Sequence, residues 1–188
     1  MQVKIYEWIL QDWSVNRNSP ENRLILAWFR LAQWAYRHWG IFGRFAVVLP
    51  YRLVTTLFLS MEIPVTAQIG PRLRLPHKHG LVIHVDATLG KDCCLRHGVT
   101  LGSKLDQEGR QLGVPLIGDG VDFGAGCVVV GDVSVGNHAR IGALTIVTHS
   151  VPDYAVVVGN PGRVIKIDRP MLHEGREPVI LPDPSRKE

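Results

Sequence analysis

Cysteine is scarce in this sequence, and three cysteines in 188 residues cannot build a disulfide framework. Cys93 and Cys94 are adjacent and Cys127 stands alone, which is not a zinc-ligand spacing. Charge is modest too. At 20% charged against 46% hydrophobic residues, the chain is not disordered. A net charge of +4, with no run of Lys and Arg, excludes a nucleic-acid footprint. No apolar stretch is both long and uncharged enough for a confident membrane span, and the opening residues do not read as a signal peptide. These absences point to a cytoplasmic protein of one domain, or one domain with a small appendage.

What is present is a beat of six residues. From Ile117 the chain divides into hexads that begin at Ile117, Phe123, Val129, Val135, Ile141 and Val147. The second position is Gly118, Gly124, Gly136 or Gly142 in four of the six, and the fifth is small or β-branched throughout. A period of six is neither helix nor ordinary strand; it is a solenoid period. Each hexad reads as a short strand plus a corner, with positions one and five facing inward. Three hexads make one coil, and stacked coils form parallel sheets. Cys93 and Cys127 fall at fifth positions and read as small buried fillers.

The beat extends upstream through Ile63, Ile69 and Leu75, then through Ile83, Leu89, Leu95 and Leu101. Two extra residues near His79–Leu81 shift its frame. It breaks between Gly102 and Leu116, where a polar, Gly-containing stretch predicts a protruding loop. The expected organisation is a helical segment over 1–61, a β-solenoid over 62–157 with its loop at 102–116, and an extension over 158–188 whose Pro-rich end is loose.

The first third has helical periodicity. Ser19-Pro20 predicts a helix start, and Leu24, Ile25, Trp28, Phe29, Leu31, Ala32 and Tyr36 mark its apolar face. Gly40 and Gly43 are expected to interrupt it. A second apolar segment, Phe45 to Met61, is about 17 residues long and contains Pro50 and Arg52, which disfavours a span. Two readings of it stand: a helix packed on the body or on a neighbouring subunit, and a helix lying in a membrane interface beside Trp28, Trp34, Trp39, Arg37 and Arg44.

His77 and His97 hold the third position of hexads one coil apart, so their rings should stack at about 5 Å on an outer face. His79 and His84 lie close in sequence. The cluster admits a general base, a metal site or ordinary surface histidines. An imidazole ionises near neutral pH, which suits it to take a proton from a hydroxyl.

The hexads, with His77-Lys78-His79-Gly80, Arg96-His97-Gly98-Val99-Thr100-Leu101-Gly102, Gly124-Ala125-Gly126, Gly142-Ala143 and Val158-Gly159-Asn160-Pro161, resemble the hexapeptide-repeat acyltransferases. The resemblance is to the serine acetyltransferase branch, and within it to the short enzymes of exopolysaccharide and colanic acid synthesis. It implies a mainly β fold: a left-handed parallel β-helix, assembled as a trimer, with a short α-helical N-terminal segment. It implies acetyl-CoA as cosubstrate and no metal. It carries the catalytic base onto His77 and the acid that orients it onto Glu62, with His97 beside them, and either His97 or His138 reaching across the trimer. Coenzyme A is expected along the later coils, near Gly124, Ala125, Gly142, Ala143, Thr148 and Asn160, with Arg163 or Lys166 at its phosphates.

Departures from the serine enzymes bear on the acceptor. Pro76 replaces an Asp, and Gly113 and Val114 replace an Arg-His pair that helps grip serine. About 60 residues replace a longer helical N-terminal domain. The expected partner is therefore a saccharide or lipid-linked saccharide acceptor, with peripheral membrane contact at the inner face of the membrane. Serine O-acetylation is the alternative; amino-sugar N-acetylation and a non-catalytic binding module stand behind it.

Overall fold

The computed structural model describes residues 4–168; the part of the expected extension at 169–188 lies outside the described residues. Among the described residues, thirteen short strands, β1 to β13, follow three α-helices, α1 (Ile5–Ile9), α2 (Pro20–His38) and α3 (Gly40–Leu59), with a 3-10 turn at Ser14–Asn16. The strands are β1 (Gln68–Ile69), β2 (Val82–Ile83), β3 (Thr88–Leu89), β4 (Cys94–Leu95), β5 (Thr100–Gly102), β6 (Leu116–Ile117), β7 (Asp122–Phe123), β8 (Val128–Val130), β9 (Ser134–Val135), β10 (Arg140–Ile141), β11 (Ile146–Val147), β12 (Ala155–Val158) and β13 (Arg163–Ile167). They form three sheets, ordered β1-β3-β6-β9, β2-β5-β8-β11 and β4-β7-β10-β12-β13. Consecutive strands β1, β2, β3, β4 and β5 pass from sheet to sheet in rotation, with the bridge at Arg74 marking the visit between β1 and β2. Every pairing among β1 to β12 is parallel.

The hexad rule accounts for the core. The first positions Ile117, Phe123, Val129, Val135, Ile141 and Val147 are all buried, as are the fifth positions Val121, Cys127, Val133, Ala139, Thr145 and Val151. A two-residue strand can bury only one side chain per face before the chain turns, so a large residue and a small one per hexad fill the triangular interior. Cys93 and Cys127 are fully buried, and burial pushes their thiols up to about 11 and about 12.

The first coil presents an edge of unpaired backbone groups, which must be satisfied or left to water. Side chains from the helical third do this. Arg30 donates to the carbonyls of Ile69 (2.8 Å) and Gly70 (2.7 Å), Gln33 to Ala67 (3.1 Å), Asn16 to Leu73 (2.8 Å) and Asn22 to Leu75 (2.8 Å). Asp12 accepts from the Leu73 N–H at 2.8 Å and pairs with Arg30 at 2.7 Å, both side chains being almost wholly buried. The helical third thus caps the solenoid through polar residues as well as the apolar face read from the sequence, of which Phe29 and Ala32 join the core while Ile25, Trp28 and Tyr36 pack against it. Leu24, expected in that face, is exposed, while Asn22, Arg30 and Gln33 are buried.

The second apolar segment also differs from expectation. Gly40, at φ 53, ends α2, but Gly43 interrupts nothing. Gly43 is where α3 crosses α2 closely: a Cβ there would lie 2.4 Å from the Ala35 carbonyl oxygen. The helix therefore runs for 20 residues from Gly40, with a π turn at Arg44–Val48, and is long and apolar enough to cross a membrane by length and composition. One face of it packs on the body and the rest is exposed, since 22% of its most apolar window is buried.

At the far end, β12 (Ala155–Val158) turns through Gly159–Gly162, with a cis Asn160–Pro161 peptide, into β13 (Arg163–Ile167), which returns antiparallel on it. Between β5 and β6 the chain is pinned by Asp106, which accepts from the Arg110 backbone N–H at 2.8 Å and its guanidinium at 2.7 Å.

Candidate functional site

One edge of the prism gathers most of the candidate residues. It is the corner between the sheet of β4 and the sheet of β5. The backbone N–H of Gly98 donates to His79, that of Gly126 to His97 and that of Leu144 to Ala125, each at 2.9 Å. His79, His97, Ala125 and Ala143 are therefore stacked in register, one per coil. The corner residue that follows each has positive φ: 70° at Gly80, 70° at Gly98, 68° at Gly126 and 56° at Leu144. A left-handed residue turns the chain in place, and glycine does so without strain.

The turn Gly159–Gly162 closes this column. The Gly159 N–H donates to Thr145 Oγ1 at 3.2 Å, and the Ile146 N–H donates to the Gly159 carbonyl at 3.1 Å. Asn160 thus sits over the same edge. Gly124 and Gly142 flank it, and each must be glycine. A Cβ on Gly124 would lie 2.4 Å from the Ala143 nitrogen, and one on Gly142 would lie 2.9 Å from a Val158 methyl.

The two extra residues split the histidines. Backbone register pairs His79, not His77, with His97. His77 is thrown out ahead of the corner at φ 56, and its ring meets the His97 ring edge-on, with centroids 6.2 Å apart. That is wider than the stacking expected from hexad counting, because the insertion removes His77 from the column. The result is an open depression of about 620 Å³ lined by His77, His79, Gly80, His97 and Gly98. Arg96, beside it, is held outward by Asp122 at 2.5 Å.

Glu62 lies one coil below, bridged to Val82. It lines a different depression, of about 440 Å³, with Arg52, Thr55 and Val85 among its walls. No hydrogen bond joins Glu62 to His77. Pro76 faces a third hollow beside Asn22 and Arg74.

Other candidates stand on other edges. Thr148, bonded to His149 at 3.0 Å, lies on the next edge, where the 102–116 loop leaves. His84 is there too, 3.2 Å from the Gln111 side chain of that loop. His138 is on the third edge, stacked on Tyr154 at 5.2 Å. Arg163 and Lys166 are exposed on β13. Lys166 is paired with Asp168 at 3.0 Å, and Arg140 with the same carboxylate. Arg163 meets no carboxylate among the described residues, which leaves its charge free for an anion. Among the described residues no group of three or more His, Cys, Asp or Glu could hold a metal ion.

Sequence reasoning missed the link between the cap and this site. Asn22 holds the Leu75 carbonyl and Asn16 accepts from the Leu75 N–H at 3.3 Å, two residues before His77. The signal was available: Asn22, Arg30 and Gln33 share a helical face with Leu26 and Phe29, and polar residues on an apolar face need partners.

A three-faced solenoid of short parallel strands, with histidines and small residues along one edge, defines the structural class. No protein-family model matches the chain. It is 40% identical over 114 residues, 61% of its length, to the putative colanic acid biosynthesis acetyltransferase WcaB of Escherichia coli (strain K12), and covers 68% of that protein. It is 38% identical over 131 residues, 70% of its length, to the serine acetyltransferase of Staphylococcus xylosus. That match spans 60% of the staphylococcal protein, less than two thirds of it. The crystal structure of serine acetyltransferase from Vibrio cholerae superposes with a TM-score of 0.73 at 27% identity, covering 88% of this chain and 67% of the other. The chain belongs to the hexapeptide-repeat acyltransferases, in the branch that holds the serine acetyltransferases and WcaB.

Proposed function

We propose that the chain is an acetyl-CoA-dependent O-acetyltransferase that esterifies a sugar hydroxyl of a polysaccharide or its lipid-linked precursor. The observation that carries this reading is the single edge on which His79, His97, Ala125, Ala143 and the Asn160 turn align, with His77 projecting at its start. A thioester donor laid along that edge brings its acetyl end to the histidines and its charged end towards Arg163 or Lys166. The coil is left-handed, as in the serine acetyltransferase solenoids, and the protein is a homotrimer in which a neighbouring prism closes the open depression. It acts in the cytoplasm, at the inner face of the membrane.

His77 takes the proton from the acceptor hydroxyl as its oxygen attacks the acetyl carbonyl. The tetrahedral oxyanion is met by a backbone N–H or side-chain donor. The carbon–sulfur bond then breaks, the acetyl ester leaves on the sugar, and the thiolate recovers the proton. Glu62, one coil below, is the carboxylate proposed to orient the imidazole, although it lines a separate hollow in the single chain. His97, edge-on to His77, limits the ring's rotation.

Gly113 supports a saccharide acceptor over serine. Serine is a small zwitterion, and gripping it needs a cation for its carboxylate. The position equivalent to that cation is Gly113, at φ 67, where a Cβ would lie 2.6 Å from the Asp132 Cβ. The backbone itself resists an arginine there. The similarity to the staphylococcal serine acetyltransferase favours serine as the second reading. Mass spectrometry of acetyl transfer to a panel of saccharides and free serine separates the two. Saccharide acetylation that vanishes in His77→Ala is expected. Efficient acetylation of serine with every saccharide inert would overturn the proposal.

A further inference from the structure

We propose that α3 is an in-plane membrane anchor that docks the protein on an anionic lipid surface. Ile41, Phe45, Leu49, Leu53, Leu57 and Phe58 are each between 44% and 75% exposed. Single exposed apolar residues are ordinary, but the first five of these recur every four residues along one helix. In a regular α-helix a four-residue spacing drifts by about 40° a step, about 160° from Ile41 to Leu57. The π turn at Arg44–Val48 underwinds the helix there and draws part of that drift back. The apolar residues thus stay nearer one stripe than their spacing alone allows.

The opposite face fixes the helix to the body. Gly43, Val48, Tyr51 and Thr55 are buried. The Tyr51 ring lies 6.0 Å from both Trp28 and Phe29, and its hydroxyl donates to the Ile63 carbonyl at 3.2 Å. A helix held along its length by one face cannot leave to cross a bilayer, although its length and composition would permit crossing. It can only lie flat, stripe down.

Charge selects the occupant. From Asn22 to Met61 the sequence contains no Asp or Glu. Arg37, Arg44 and Arg52 are exposed there, and none forms an ion pair among the described residues. A second copy docked face to face on this helix would set arginines against arginines with no acid on the helix itself to relieve them. An anionic headgroup layer meets both features, taking the apolar stripe below and the guanidinium groups at its surface. Trp34, Trp39 and Phe42 continue the surface past the helix start, with ring centroids 5.2 Å and 6.2 Å apart, as interfacial aromatics do.

The anchor stands whether or not the acceptor is a saccharide, because it is read without substrate. Full-length protein is sedimented with phosphatidylcholine vesicles, with and without phosphatidylglycerol. Binding to the phosphatidylglycerol vesicles, weakened by salt, is expected. Phe45→Ser/Phe58→Ser should lower the partition coefficient by about tenfold or more, from the apolar area withdrawn from lipid. Both side chains are exposed, so circular dichroism and the thermal midpoint should not change. Arg44→Gln/Arg52→Gln should reduce the preference for anionic vesicles. The proposal fails if the unaltered protein ignores both kinds of vesicle, or if the Phe variant binds undiminished. It also fails if the Phe variant lowers the oligomeric mass by light scattering, which would make the stripe a contact between copies.

Discussion

Arg30→Met tests whether the polar cap, rather than apolar packing, seats the helical third on the solenoid. Arg30 is fully buried and Asp12 nearly so. The substitution keeps most of the side-chain volume but removes five hydrogen bonds: two to Asp12 at 2.7 Å and 3.3 Å, and one each to Gln33 at 3.0 Å, Ile69 at 2.8 Å and Gly70 at 2.7 Å. Removing one partner of a buried ion pair costs about 3–5 kcal/mol, because the other charge is left unpaired in a low dielectric. Each orphaned carbonyl could add about 1–3 kcal/mol, though the terms share one cavity and do not sum. A loss of about 4 kcal/mol is expected. With a urea slope of about 2 kcal/mol per molar, the unfolding midpoint should fall by about 2 M. Tryptophan fluorescence follows it well, since Trp8 donates to the Arg30 carbonyl. Protomer concentration must be held fixed, because assembly adds to apparent stability. Asp12→Leu/Arg30→Met removes both charges and should recover part of the loss. A single-variant loss under about 1 kcal/mol, or a double variant no better than the single, would refute the capping argument.

His77→Ala should lower turnover by about 10²–10⁴ with little change in stability, since the ring is exposed; equal loss in His79→Ala alone would move the base. Gly113→Ala should cost about 1–3 kcal/mol in thermal unfolding, from positive φ and the approach to Asp132, and Asp132→Gly should relieve part of it. The cysteines set an alkaline limit. The folded Cys93 and Cys127 thiols are pushed up to about 11 and about 12 from 9.0, so the unfolded chain loses these protons first. Stability they support is complete below pH 9 and falls as pH rises through 11, by about 1.4 kcal/mol per pH unit for each thiol. Thermal midpoints of Cys127→Val should show a shallower decline, and iodoacetamide should leave the folded thiols untouched at pH 8.

The solenoid was legible because its burial rule is local. Each hexad states which two residues turn inward, and the structure buries those at Ile117 to Val151 without exception. Where an insertion enters, locality fails. Counting forward from Leu75 pairs His77 with His97; counting back from Gly98 pairs His79 with it. The backbone obeys the second count and the rings meet by the first, which no periodicity could disclose. The cap is harder to read for another reason. Asn22, Arg30 and Gln33 are marked as buried only by sharing a face with Leu26 and Phe29, and what they bind is a sheet edge at the end of a stack, whose unpaired carbonyls favour such residues over leucine. Which edge holds Thr148 and which holds Ala143 likewise depends on where the loop exits, not on composition.

The edge column from His79 to the Asn160 turn also works as a ruler. Its marks are coils, each advancing by the spacing between neighbouring strands, about 4.8 Å. Excising one full turn of three hexads between His97 and Ala143 would bring the two ends one mark closer without altering a residue at either. A donor cut to the original length would then overshoot, and one shortened to match would fit. In this architecture, reach is set by counting turns, independently of the chemistry at the ends.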